Sequence, residues 1–180
     1  MTQKIKYTSI SQEIRPAAND FLVEHWYSTD MVIRGAIVDL SRAEGFAALE
    51  DGEIIGLVTY QIRDRECEVC SLDSVCEGHG IGTRLLELVV ETAKDAGWKK
   101  VKLITTNDNL EAIGFYQKRG FRLVGVHRDA MQLARQLKPS IPNTGMHGIP
   151  LRDEIELEFI LDAGYFGVLI VFCGYSQLAY

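Results

Sequence analysis

The feature that most constrains this chain is a glycine-rich stretch, Glu77-Gly78-His79-Gly80-Ile81-Gly82-Thr83, followed by the run 84–96. Glycines at alternate positions let the backbone bend and approach a ligand closely. Apolar residues then recur at helical spacing and predict a helix; they include Ile81, Leu85, Leu88 and Val89. A helix start offers unpaired N–H groups and the positive end of the helix dipole. The stretch therefore predicts a strand, a glycine loop and a helix directed at a phosphate group.

Two common phosphate-binding motifs do not fit this stretch. The P-loop requires a lysine directly after its last glycine, and no lysine follows any of these glycines. The dinucleotide fingerprint G-x-G-x-x-G does not fit either: if Gly78 and Gly80 are its first two glycines, Thr83 occupies the position of the third. A nucleoside triphosphate or a nicotinamide dinucleotide is therefore not the expected ligand.

A second block, residues 109–121, reads Asn-Leu-Glu-Ala-Ile-Gly-Phe-Tyr-Gln-Lys-Arg-Gly-Phe. Together the two blocks resemble the GNAT superfamily, the acetyl-CoA-dependent N-acetyltransferases. The glycine stretch is similar to motif A of that family, usually written Q/R-x-x-G-x-G/A. The second block is similar to its downstream segment N-x-x-A-x-x-F-Y-x-K-x-G-F. The resemblance covers roughly residues 1–161, which we take as a single domain, and the motif similarity is dense between positions 54 and 128.

Composition indicates one soluble globular domain. The chain has 180 residues, of which 47% are hydrophobic and 24% charged. Its net charge of -6 argues against a nucleic-acid partner, which would normally require a basic face. The start of the chain, Met-Thr-Gln-Lys-Ile-Lys, lacks an apolar signal region, so we expect a cytoplasmic protein with no membrane partner.

The strand patterns, with the resemblance, predict an α/β (α+β) fold: a mixed, mostly antiparallel sheet of about six or seven strands with helices on both faces. A crossover helix should make 99–105 parallel to 66–75, forming a parallel pair at the cofactor cleft. The segment 15–27 predicts a helix with Ala17, Phe21, Leu22 and Trp26 on one stripe. The type of 31–40 stays open. The segment 138–153 predicts a long loop, a type that often serves as a lid.

Four cysteines raise the question of a zinc site, because Cys67-x-x-Cys70 is followed by Cys76 and His79. Cys67 and Cys70 lie in a predicted strand, where residues three apart point to opposite faces. A tetrahedral site would require the strand to break into a knuckle. We therefore predict buried free thiols and no metal.

The resemblance implies acetyl-CoA as co-substrate and a set of residues that bind it. Main-chain groups near Leu72, Asp73 and Ser74 would pair with the pantetheine arm, and the N–H groups of 78–83 would hold the pyrophosphate. That set of cofactor-binding residues is Leu72, Asp73, Ser74, Gly78, His79, Gly80, Ile81, Gly82, Thr83, Asn109, Ala112 and Tyr116.

The resemblance also implies direct attack of a primary amine on the thioester, with Tyr116 protonating the leaving thiolate. For the base that deprotonates the amine, Glu68, Asp73 and a water-relayed path all stay open. The acceptor would be a small-molecule amine or a peptide.

Two departures from the family pattern keep an alternative open. Glu77 replaces the usual Gln or Arg, and the segment 72–80 is shorter than usual. The alternative is a non-catalytic acyl-CoA-binding or regulatory domain. The apolar tail 162–180 lies outside the resemblance, and an added strand, an extension from a shifted reading frame or a contact in a homodimer would each explain it.

Overall fold

The computed structural model describes residues 5–75 and 78–161, and the tail 162–180 lies outside this part of the chain. The described residues form a seven-stranded sheet in the order β1-β4-β5-β6-β7-β9-β8 and a separate hairpin, β2-β3. The strands are β1 (Lys6–Ser9), β2 (Asp30–Ile33), β3 (Ala36–Asp39), β4 (Glu44–Glu50), β5 (Glu53–Arg63), β6 (Glu66–Ser74), β7 (Lys100–Thr106), β8 (Arg122–His127) and β9 (Glu154–Ile160). The predicted fold class is confirmed.

Helices cover both faces of the sheet, as predicted. They are α1 (Arg15–Trp26), α2 (Ile81–Asp95), α3 (Leu110–Gln117) and α4 (Ala130–Leu137). The helices α2 and α3 pack on one face, with Leu85 and Val89 fully buried there. On the other face, α1 buries Ala18, Phe21 and Leu22. The stripe predicted for α1 was wrong at one position: Ala18 is buried and Ala17 exposed, because positions 18, 21 and 22 share one helical face.

The strands β6 and β7 run parallel, as predicted, but they pair over a short length. Residues 66–69 of β6 lie opposite 100–103 of β7, and the recorded pairing ends at Val69 and Leu103. On its other side β6 carries a β-bulge: Tyr60 pairs with Val69 and Thr59 with Ser71, so Cys70 is the extra residue. A bulge bends its strand and increases the local twist. Beyond Cys70 the strands β6 and β7 therefore diverge and open a gap in the sheet.

The segment 31–40, whose type the sequence left open, is mostly the β2-β3 hairpin. Its turn places both central residues at positive φ, 50° for Arg34 and 69° for Gly35. The φ of Gly35 favours glycine, and a Cβ atom there would lie 2.4 Å from Cδ2 of Leu133 in α4, so that the leucine side chain would have to move. The hairpin thus packs closely against α4.

The cysteine prediction is confirmed for two thiols. Cys67 and Cys70 are free and buried, and they belong to core clusters on opposite faces of the sheet. Cys76 lies outside the described residues. Among residues 5–75 and 78–161, no group of His, Cys, Asp and Glu side chains could hold a metal ion. None of the helices built from these residues has the length and apolar character needed to cross a bilayer.

Candidate functional site

A cleft of about 480 Å³ lies where the end of β6, the glycine loop and α3 meet. It contains ten of the residues that the resemblance assigned to the cofactor: Leu72, Asp73, Ser74, Gly78, Gly80, Ile81, Gly82, Thr83, Ala112 and Tyr116. Glu111, Phe115 and Arg119 complete its lining. His79 and Asn109 do not line this cleft in the described structure.

The glycine loop forms the floor of the cleft and leads into α2. Gly78 and Gly80 both have φ of 76°, and nothing lies within 4 Å of an added Cβ atom at either position. Glycine is therefore required by the backbone conformation and not by crowding. The N–H of Arg84 bonds to the carbonyl of Gly80 at 3.0 Å. The preceding N–H groups, at the positive end of the helix, suit an anion.

Arg119 supplies a positive charge to the cleft that the sequence analysis missed. Its Nε donates to Oγ1 of Thr83 at 3.0 Å, and its Nη1 donates to the carbonyl of Phe115 at 2.7 Å. The guanidinium lies 3.5 Å from the centre of the Phe115 ring. Helical spacing was the available signal, since Arg119 follows Phe115 by four positions and Tyr116 by three.

A second cavity, of about 270 Å³, lies on the other side of α3. It is lined by Trp26 of α1, the hairpin residues Met31, Val32 and Ile33, residues 69–72 of β6, residues 103–106 of β7, and Asn109, Ala112, Tyr116, Met131, Met146 and Glu154. Leu72, Ala112 and Tyr116 line both the cleft and this cavity. The two spaces therefore adjoin across these three side chains, beside the gap between β6 and β7.

Tyr116 is 8% exposed and packs edge-on against two phenylalanines. Its ring centre lies 5.2 Å from that of Phe115 and 5.6 Å from that of Phe121. Burial, assisted by the negative charge of Asp73, raises the pKa of the Tyr116 phenol well above its usual value. Tyr116 thus keeps its proton at neutral pH and is available as a donor.

Asp73 is the carboxylate nearest to this arrangement among the predicted bases. Burial raises the pKa of the Asp73 carboxyl, while the neighbouring Trp26 indole N–H and the His25 ring lower it by a smaller amount. Neither Oδ2 of Asp73 nor Nε1 of Trp26 has a hydrogen-bond partner among the described residues. A carboxylate with a raised pKa is better suited to accept a proton near neutral pH.

Glu68, the other predicted base, is engaged elsewhere. It is 3% exposed, its Oε1 contacts Nη2 of Arg34, and its Oε2 accepts from Nε2 of Gln61 at 2.8 Å. It lines neither the cleft nor the second cavity. The structure brings Asp73 and Tyr116 together and does not bring Glu68 to them.

The tripeptide 107–109 holds together the elements around the second cavity. Oδ1 of Asn109 accepts from the N–H of Ala112 at 3.0 Å and so caps α3. Oδ1 of Asn107 accepts from the N–H groups of Arg152 and Asp153, both at 2.9 Å. Oδ2 of Asp108 accepts from the N–H of Met146 at 2.7 Å. The predicted loop 138–153 is thereby fixed against the start of α3.

Comparisons with curated proteins find two similar relatives from Bacillus subtilis, both uncharacterized. The chain is 49% identical to protein YdhI over 144 residues, which cover 79% of this chain and 90% of YdhI. It is 46% identical to protein YxbD over 138 residues, covering 76% of this chain and 87% of YxbD.

Two solved structures illustrate the similarity of fold. An IAA acetyltransferase from Bacillus cereus ATCC 14579 superposes with a TM-score of 0.67 at 25% identity, covering 87% of this chain and 99% of that one. A GNAT family acetyltransferase from Elizabethkingia anophelis, solved with acetyl-CoA bound, gives 0.62 at 21% identity, covering 87% and 97%. At that identity the second match shows the fold alone. The sequence profile of the Acetyltransferase (GNAT) family matches residues 10–121, more than half of the chain. The chain therefore belongs to the Acetyltransferase (GNAT) family.

Proposed function

We propose that this protein transfers an acetyl group from acetyl-CoA to a primary amine of a small molecule or peptide by direct attack. The observation that carries the proposal is the meeting of the cleft and the second cavity at Tyr116, Leu72 and Ala112. Two spaces that share a buried proton donor are what a two-substrate transfer requires. One space would hold the acetyl donor and the other the amine.

The cleft suits acetyl-CoA in both shape and charge. The first N–H groups of α2 and the guanidinium of Arg119 would hold the pyrophosphate. Residues 72–74, at the end of β6, do not pair with β7. Their main-chain N–H and C=O groups on that side would therefore pair with the amide groups of the pantetheine arm. The Elizabethkingia anophelis enzyme was solved with acetyl-CoA bound, which supports the same co-substrate here.

The transfer itself needs one proton donor and one proton acceptor. The amine nitrogen forms a bond to the thioester carbonyl carbon, the carbon–sulfur bond breaks, and the thiolate receives the phenolic proton of Tyr116. Asp73, directly or through a water, accepts the proton that the attacking nitrogen loses and restores the proton of Tyr116. Asp73 is preferred to Glu68 because it lines the cleft beside Tyr116 and its Oδ2 has no partner among the described residues.

The test is to measure acetyl-CoA binding by calorimetry and then CoA release with a panel of amines on the same preparation. We expect binding, and release that depends on the amine. Binding without release for any amine would contradict transfer and favour a non-catalytic acyl-CoA-binding domain. A folded protein that does not bind acetyl-CoA would overturn the assignment of the cleft.

A further inference from the structure

The second cavity is lined mainly by apolar side chains, together with one carboxylate and the polar side chains of Ser71, Thr105, Thr106, Asn109 and Tyr116. Three methionines, Met31, Met131 and Met146, line it together with Trp26 and several aliphatic residues. Methionine and tryptophan side chains accept irregular apolar groups and pack well around them. Among the described lining residues, Glu154 alone carries a charge.

Glu154 is a buried carboxylate without a charged partner of its own. The residue is 2% exposed, and its Oε1 accepts from the backbone N–H of Arg34 at 3.2 Å. Its Oε2 has no hydrogen-bond partner among the described residues, which also provide no ion pair for it. An unpaired buried carboxylate is unfavourable, so a ligand cation at this position would gain a strong interaction.

The nearby positive charges are already engaged by other carboxylates. The guanidinium of Arg34 contacts Oε1 of Glu68 and lies 3.7 Å from Oε1 of Glu156. Nε2 of His127 lies 2.9 Å from Oε2 of Glu156. The backbone N–H of Arg34 therefore bonds to Glu154, while its side chain contacts Glu68 and Glu156. Glu154 thus has no side-chain cation in contact with it among the described residues.

From this arrangement we infer that Glu154 binds the ammonium group of the acceptor and takes one proton from it, which leaves the free amine for attack, and that the acceptor is a monoamine with an apolar body. This inference rests on the proposed transfer to an amine and narrows its substrate class. Diamines would place second charged groups where the described lining offers no second carboxylate. Desolvating those groups without partners would oppose binding. An alkylamine or arylalkylamine has no such groups.

The experiment measures binding without transfer, because CoA replaces acetyl-CoA and leaves no acetyl group to move. Hexylamine, its neutral analogue hexanol and the diamine putrescine are titrated into the CoA-saturated protein by calorimetry. We expect hexylamine to bind more than about tenfold tighter than hexanol, since a charge-assisted hydrogen bond exceeds that margin, and tighter than putrescine, whose second charge would lack a partner. Glu154→Gln should remove the preference for hexylamine over hexanol.

Glu158→Gln is the matched control, because Glu158 lies on the same strand, pairs with Lys100 at 2.9 Å and does not line the cavity. It should bind hexylamine as the wild type does. Equal binding of hexylamine and hexanol by the wild type, which requires no variant, would overturn the inference. So would tighter binding of putrescine, or full hexylamine affinity in folded Glu154→Gln. If hexylamine binds as expected but no CoA is released from acetyl-CoA, the proposed transfer fails and the binding site stands.

Discussion

Replacing Tyr116 by phenylalanine tests the chemistry most directly, because it removes one hydroxyl and leaves the ring. The edge-on contacts with Phe115 and Phe121, at 5.2 and 5.6 Å between ring centres, need only the ring. The free energy of unfolding should therefore change by about 1 kcal/mol or less. Loss of general-acid catalysis should lower kcat by ~10²–10⁴, equivalent to roughly 3–5 kcal/mol in the barrier.

The assay is steady-state CoA release, with calorimetry for acetyl-CoA and a thermal melt on the same preparation. Affinity for acetyl-CoA should stay within tenfold of wild type, since the other lining residues are unchanged. Tyr60→Phe is the matched control: Tyr60 is a core tyrosine, 4% exposed, that lines neither the cleft nor the second cavity. It should retain wild-type kcat. A Tyr116→Phe protein with wild-type kcat would refute the assignment of Tyr116 as the acid.

Four further outcomes are expected. Gly82→Trp should abolish acetyl-CoA binding in calorimetry, because a Cβ atom fits there, 3.6 Å from its nearest neighbour, and the indole would then fill the cleft. Gly114→Trp is the control and should bind acetyl-CoA normally, because Gly114 has open space around it and does not line the cleft. Arg119→Gln should weaken acetyl-CoA binding by roughly 10- to 100-fold, the value of a charge-assisted hydrogen bond, and unchanged affinity would remove Arg119 from the site. A chain ending at Leu161 should remain soluble and melt cooperatively, since β9 ends at position 160; aggregation would place the tail in the core or in an interface. Burial raises the pKa of Glu154, so wild-type stability should fall as pH rises from the unfolded toward the folded pKa; Glu154→Gln, which cannot ionise, should lack this loss in thermal melts.

The sequence was sufficient for the parts of the fold that depend on local pattern. The predicted strand 66–75 corresponds to β6, and the apolar stripe with the glycine loop predicted α2 and its direction. The parallel arrangement of β6 and β7 followed from the crossover helix between them. Most residues assigned to the cofactor by resemblance line one cleft, although their contacts with acetyl-CoA stay predictions.

The second cavity could not be predicted, because its residues come together only through contacts distant in the chain. Glu154 accepts a hydrogen bond from the N–H of Arg34, which lies 120 positions away in the chain. Met146 is held beside the cavity by a hydrogen bond from its N–H to the carboxylate of Asp108. Glu154 also alternates with Glu156 and Glu158, so its pattern is that of an ordinary half-exposed strand. Only the hairpin, α4 and the loop 138–153 together distinguish it from its neighbours.

The single extra residue at Cys70 sets which way the end of β6 faces. In a regular strand Val69 and Leu72, three positions apart, would point to opposite faces, yet both belong to the core beneath α2. The same shift of phase directs Asp73 to the face where Trp26 and His25 lie. Without the bulge, regular alternation over the same residues would put Leu72 and Asp73 on opposite faces from those they now occupy, whereas deleting Cys70 would leave both where they are. The bulge thus determines which side chains at the end of β6 face the core beneath α2 and which face Trp26 and His25.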